Sequence, residues 1–230
     1  MPFFMMDYWY LVLVLPAVIL TMIAQIRVKQ VFRRYSGVRC AMTGTEASRL
    51  IQYARGLSLP ILSASGSMTD FYNPADQTIH LSDTVRDAAT VAAVGVAAHE
   101  TGHALQYAEN YAPARFRMAI VPITNAASTL STYLVVLGLI FSFQPLAYIG
   151  VGCFAFAVLF QLVTLPVEFD ASRRALAELS ACGRLTEEEL DGARRVLRAA
   201  AMTYVAALFL SLMSFLRLLL IVSGNRKGRR

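Results

Sequence analysis

The sequence predicts a mainly α-helical membrane protein with about four transmembrane helices and one small water-facing α+β region. Of its 230 residues 57% are hydrophobic, more than a soluble domain uses, and 16% are charged, more than a purely buried bundle tolerates. The third observation is where the charge lies. Lys and Arg outnumber Asp and Glu by 21 to 15. The excess gathers beside apolar runs, in Arg27, Lys29, Arg33 and Arg34 and again in Arg226, Lys227, Arg229 and Arg230. Basic clusters so placed set membrane topology, and nucleic-acid binding is not expected.

Residues 1–26 read as an N-terminal transmembrane anchor. The apolar run from Tyr8 to Ile26 approaches the roughly 20 residues that cross about 30 Å of hydrocarbon. It has no basic stretch ahead of it and no small-residue cleavage site behind it, so it is expected to stay as an anchor.

Residues 27–118 form the water-facing region. Thr43 and Glu46 stand in capping-box spacing and open a helix whose apolar face is Ala47, Leu50, Ile51 and Ala54, with Gly56 ending it. Pro60 to Ser65 and Thr78 to Ser82 read as short strands of a small β-hairpin. They are separated by Ser65-Gly66-Ser67 and by the turn signal Asn73-Pro74-Ala75-Asp76. One long helix is then expected from Ser82 or Asp83 to about Glu109.

Residues 119–167 form a transmembrane hairpin, Ile120 to Phe143 and Leu146 to Val167, joined by an uncharged turn at Gln144 and Pro145. Arg115 and Arg117 precede it, Arg173 and Arg174 follow it, and basic residues up to Arg39 follow the first span. All three flanks point to one cytoplasmic side. Residues 168–198 continue as helix, interrupted by Gly183 and reopened by a second capping box, Thr186 with Glu189. Residues 199–230 are a last apolar helix, Ala199 to Val222 with Arg217 inside it, and the basic tail. Parity sends this span outward and its tail to the face opposite the other basic flanks, unless the segment is re-entrant or lies in the interface. The three cysteines, Cys40, Cys153 and Cys182, have no paired spacing and read as idle.

The chemistry lies in Ala98-His99-Glu100-Thr101-Gly102-His103-Ala104. Two histidines four apart share one helix face and can reach one zinc ion, while Glu100 sits where it can act on a water beside the metal. Two of the chain's three histidines are in this motif. A catalytic zinc takes three protein ligands and leaves one position open. His80 reads better as a strand residue, and Glu187, Glu188 and Glu189 as a solvated first helical turn. Glu168 stands where the third span emerges, and the hairpin returns it to the side of His99 and His103. The competing reading pairs Glu168 with Arg173 or Arg174. Ala171 and Ala175 keep the helix face of Glu168 small enough to pack closely on a metal-binding helix. Thr101 and Gly102 serve as small spacers that allow such an approach.

Three blocks carry a resemblance to a known family, the membrane-bound neutral zinc metallopeptidases of the YugP-like type. They are Val91 to Glu100 continuing through Gly102-His103-Ala104-Leu105-Gln106, Leu165-Pro166-Val167-Glu168-Phe169 with Ala171 to Leu176, and the apolar end with Leu216-Arg217-Leu218. The resemblance implies that His99, His103 and Glu168 hold zinc and that Glu100 is the catalytic base. Where such proteins are expected to carry an Asp-His-Tyr-Asp-Pro run, this chain has Asp70-Phe71-Tyr72-Asn73-Pro74. Tyr72, His80 and Arg173 are left as candidates for substrate or transition-state contacts.

The expected protein is therefore a membrane-anchored, gluzincin-like zinc endopeptidase with a zincin-like catalytic region and one Zn2+ per chain. It would hydrolyse peptide bonds through a zinc-bound water with Glu100 as general base. The expected setting is a bacterial cell membrane, with the bilayer as partner, the active site on the cytoplasmic side, and protein or peptide substrates that include membrane proteins. Two rivals remain: an inactive zinc-binding membrane scaffold, and an intramembrane metalloprotease. The second is disfavoured because the apolar run over residues 88–98 is too short to span.

Overall fold

The computed structural model describes residues 7–224, so the basic tail Arg226 to Arg230 lies outside the described residues. The chain divides into two units. The described part of the first comprises residues 7–24, 116–165 and 203–224; the second comprises residues 25–115 and 166–202.

Four long helices supply the first unit and extend beyond it. A single π-helical turn, Tyr10–Val14, leads into α1 (Leu15–Ser36), and α5 (Ala112–Ile140), α6 (Gln144–Ala181) and α7 (Glu187–Gly224) follow later in the chain. All four are long and apolar enough to cross a membrane. Their outward side chains are large and apolar, among them Ile19, Met22, Ile123, Leu130, Ile149 and Leu162, a surface suited to lipid. Pro122 and Pro166 lie inside α5 and α6.

The interior of this unit is built by close approach. A Cβ on Gly138 would stand 2.5 Å from the Ala147 backbone nitrogen, and one on Gly150 would stand 2.7 Å from that of Val135, so only glycine lets α5 and α6 meet there. Val135, Ala147 and Val151 pack with Val222 of α7 in one cluster. Ser131 Oγ donates to the Gly150 carbonyl across the helix pair at 2.8 Å. Arg217, the cation within the last apolar run, donates to Asp7 Oδ2 at 2.7 Å and lies over the Tyr10 ring at 5.3 Å. Helix α7 is unbroken and packs within the unit at its C-terminal end, so the described residues give no sign of a re-entrant segment.

In the second unit, α2 (Gly44–Ala54) opens with both halves of the capping box: Thr43 N–H donates to Glu46 at 2.7 Å, and Glu46 N–H donates to Thr43 at 3.2 Å. Its apolar face buries Ala47 and Ile51, and Gly56 follows in the left-handed conformation. The second box is present too, with Thr186 N–H donating to Glu189 at 2.7 Å just ahead of α7.

The sheet differs from the expectation. Its strands are β1 (Ile61–Ala64), β2 (Phe71–Asn73) and β3 (Thr78–Ser82), in the order β1-β3-β2. The two expected strands, β1 and β3, pair in parallel, so they are not a hairpin. The hairpin is β2 with β3, across the Asn73-Pro74-Ala75-Asp76 turn. Three residues of mixed polarity were too weak a pattern to reveal β2.

The expected long helix is also two. Asp83–Arg86 forms a short α3, and α4 (Val91–Ala108) starts afresh at Thr90, whose side chain accepts from Ala93 N–H at 3.3 Å. The break arises because residues near 89–91 pair with residues 38–40: Cys40 N–H donates to the Ala89 carbonyl and Val91 N–H to that of Val38, both at 3.0 Å. A tertiary strand contact interrupts a locally helical pattern. Helix α4 is buried on nearly every side, with Val91, Val94 and Ala98 in one core cluster and Ala92, Ala93 and Ala97 in another. A helix apolar all round belongs inside.

Candidate active site

His99 and His103 project from one face of α4, with ring centroids 4.7 Å apart and planes at 79°. Glu168 reaches them from α6 and is 2% exposed. Its Oε2 lies 3.3 Å from His99 Nε2 and 3.6 Å from His103 Nε2. These three ligand atoms lie within 4.8 Å of one another. Donors bound at about 2.0–2.1 Å to a tetrahedral zinc stand roughly 3.3 Å apart, so the donor set fits that ion in both chemistry and spacing.

Two small residues make the approach of α6 to α4 feasible. A Cβ on Gly102 would stand 2.5 Å from the Ala171 carbonyl oxygen, a backbone atom that cannot swing aside. Ala171 and Ala175 are fully buried. Thr101 turns its hydroxyl away from the metal-binding face, to Ser48 Oγ at 2.7 Å and the Ala97 carbonyl at 2.8 Å.

Arg173 and Arg174 are engaged by other carboxylates. Arg173 pairs with Asp170, and Arg174 pairs with Asp170 at 2.6 Å and also with Glu109. The outward nitrogens of the two imidazoles are occupied as well: His99 Nδ1 lies 3.2 Å from Ser172 Oγ, and His103 Nδ1 lies 3.0 Å from Gln106 Oε1. Both Nε2 atoms thus face the carboxylate, the arrangement in which outer partners aim imidazoles at a metal.

Glu100 is buried beside His99 and accepts from Tyr72 N–H of β2 at 3.0 Å. Burial pushes its carboxyl above the ordinary range, against the pull of the two imidazoles. Burial works against a charged His103, but the Glu168 carboxylate outweighs it and raises that pKa.

Of the three contact candidates, Tyr72 comes to the site through its backbone, and its ring packs 5.6 Å from that of Tyr107. His80 is outside the group. Its ring stacks on Phe71 at 4.3 Å, and its Nε2 lies 2.9 Å from Thr78 Oγ1. The Arg173 side chain is 76% exposed beside Asp170. Sequence reasoning gave no role to Ser172, Gln106 or Asp170. Helical spacing held a signal for the first two: Ser172 lies four residues after Glu168 and Gln106 three after His103, each on the face of a ligand.

Comparison with known proteins agrees with this geometry. A family model described as "Putative neutral zinc metallopeptidase" matches residues 10–223. The "Putative membrane protease YugP" of Bacillus subtilis (strain 168) is 38% identical over 220 residues, covering 94% of this chain and 98% of that protein. No solved structure matches significantly. With its match running through both the zinc-fitting helix and the apolar spans, the chain belongs to the neutral zinc metallopeptidase family.

Proposed function

We propose that this protein is a membrane-anchored zinc endopeptidase, with one zinc per chain held by His99, His103 and Glu168. The observation that carries the reading is the convergence of two imidazole Nε2 atoms on one buried carboxylate oxygen, with both outer nitrogens already engaged. Zinc bound there would polarise the scissile carbonyl and lower the pKa of water toward about 7.

Glu100 is the general base. Tyr72 N–H holds its Oε2, which fixes the carboxylate plane and leaves Oε1 to take a proton from the attacking water. A carboxyl raised by burial retains that proton long enough to pass it to the leaving amine. Tyr72 therefore orients the base through its main chain, so its side chain is the part free to vary.

The basic flanks at Arg27 to Arg39 and at Arg115 and Arg117 support a site on the cytoplasmic side of a bacterial cell membrane. Its substrates are then proteins or peptides at that surface, membrane proteins among them.

The test is elemental analysis of the detergent-purified protein together with hydrolysis of an unfolded protein substrate. Wild type should carry close to one zinc per chain, Glu168→Ala should lose it, and Glu100→Gln should keep it while losing most activity. Zinc without hydrolysis of any protein substrate would favour a scaffold, and no zinc in metal-supplemented wild type would end the reading.

A further inference from the structure

We infer that Gln106 is a positioning residue that holds His103 in the tautomer with its proton on Nδ1 and its lone pair on Nε2. This rests on the zinc reading above and adds to it which nitrogen of His103 is presented and what presents it.

Gln106 is fully buried, three residues after His103 on α4. Its Nε2 donates to the Val167 carbonyl at 2.8 Å and to Asp170 Oδ2 at 2.9 Å. A main-chain carbonyl can only accept, so the amide edge facing Val167 must be the NH2, whichever way a side-chain amide is drawn. Asp170 is an acceptor on the same side, bound in turn by Arg173 and Arg174.

With both amide hydrogens used, Oε1 is what remains for His103, and an amide oxygen only accepts. The His103 Nδ1 at 3.0 Å must therefore be the donor. A neutral imidazole carries one N–H, so Nε2 carries the lone pair, and Nε2 is the atom facing Glu168 Oε2 at 3.6 Å. The chain thus runs from a backbone carbonyl of α6, through a buried amide, to a metal-facing nitrogen on α4.

His99 has no such lock. Its Nδ1 meets Ser172 Oγ at 3.2 Å, and a hydroxyl can donate or accept, so that contact suits either tautomer. The two histidine ligands are therefore unequal. His103 is preset, whereas His99 adopts its tautomer when the metal arrives.

The experiment uses the full chain in detergent with 15N-labelled histidine, in which only three imidazoles report. In the zinc-loaded wild type, His103 is expected to show a protonated Nδ1 and a metal-shifted Nε2. A chelator-competition titration should find zinc bound about 10–100-fold more weakly by Gln106→Leu. In the zinc-free protein the 15N spectrum of Gln106→Leu should show His103 no longer held with its proton on Nδ1, a change that a merely packing role for Gln106 would not produce.

Metal on Nδ1 of His103 in wild type would overturn the inference. So would a folded Gln106→Leu that binds zinc within about twofold of wild type; in that case zinc uptake and Glu100-dependent hydrolysis still stand and only the role of Gln106 falls. A wild type that takes up no zinc overturns both readings. If Gln106→Leu does not fold, the wild-type spectrum decides alone.

Discussion

The two units solve the same problem, bringing helices together, with opposite materials. In the apolar unit, large side chains face outward and the interior is held by glycines at 138 and 150, one hydroxyl-to-carbonyl bond and the Asp7–Arg217 pair. In the other unit, α4 is encased by alanine, valine and leucine, and buried polar groups are knitted into a wider set of bonds, such as Ser48 to Thr101, Ser82 to Asp70 and Arg174 to Asp170. Lipid gives helices no hydrophobic reason to associate, so close van der Waals approach and a few polar contacts must serve. Water supplies that drive, so the second unit can spend its polar residues on aiming a metal-binding face.

Both units nevertheless contain a glycine whose Cβ would strike a facing backbone, and there the largest effect is expected. Gly102→Val in α4 should destabilise the protein by about 3 kcal/mol, the upper part of the range for overpacking, because the obstructing atom is the Ala171 carbonyl. Zinc content should fall with it as Glu168 is pushed from His99 and His103. A thermal melt and a metal assay check both, and a stable, zinc-loaded variant would show that the helix approach is not what sets the site.

Next in size is the ion pair of the apolar unit. Asp7→Asn removes a carboxylate from the Arg217 guanidinium and should cost about 1.5–3 kcal/mol, read as a lower melting temperature in detergent. The zinc content of the remaining folded protein should not change, since the site is made wholly from residues of the other unit. Loss of zinc alongside would mean that the two units are energetically one.

Thr43→Ala breaks the first capping box and should cost about 1 kcal/mol in a denaturant titration. The smallest effect concerns Asp70, which neutral donors hold where the first unit uses an opposite charge. Burial raises its pKa in spite of the bonds from Ser82. A carboxyl raised in the folded state favours the protonated form, so its contribution is most favourable below its unfolded pKa of about 4 and is lost as pH rises through the folded value. Asp70→Asn should therefore flatten the melting temperature as a function of pH just above about 4, and raise it slightly at neutral pH. An unchanged pH profile would show that Asp70 is not buried enough to matter.

The legible parts of this chain are those where one local rule acts alone. Both capping boxes, the four apolar spans and the shared face of His99 and His103 follow from spacing within a turn or two of helix. The errors fall where a distant segment overrides the local pattern. The helix expected through residues 83–109 is cut because residues near 89–91 prefer the company of residues 38–40. Strands β1 and β3 pair in parallel because β2, short and unremarkable in sequence, takes the other edge of β3.

The sequence by itself determined that the protein has four membrane-length helices and a helix offering two imidazoles and a carboxylate in fixed order, because those features are periodic and periodicity is local. The tertiary structure alone decided the rest. It made Asp170 a partner of Arg173 and Arg174, set His80 against Phe71 and away from the site, and brought Val167 and Gln106 together. Which carboxylate meets which cation, and which way a buried amide must face, depends on neighbours supplied by another helix, and no spacing along one strand of sequence carries that information.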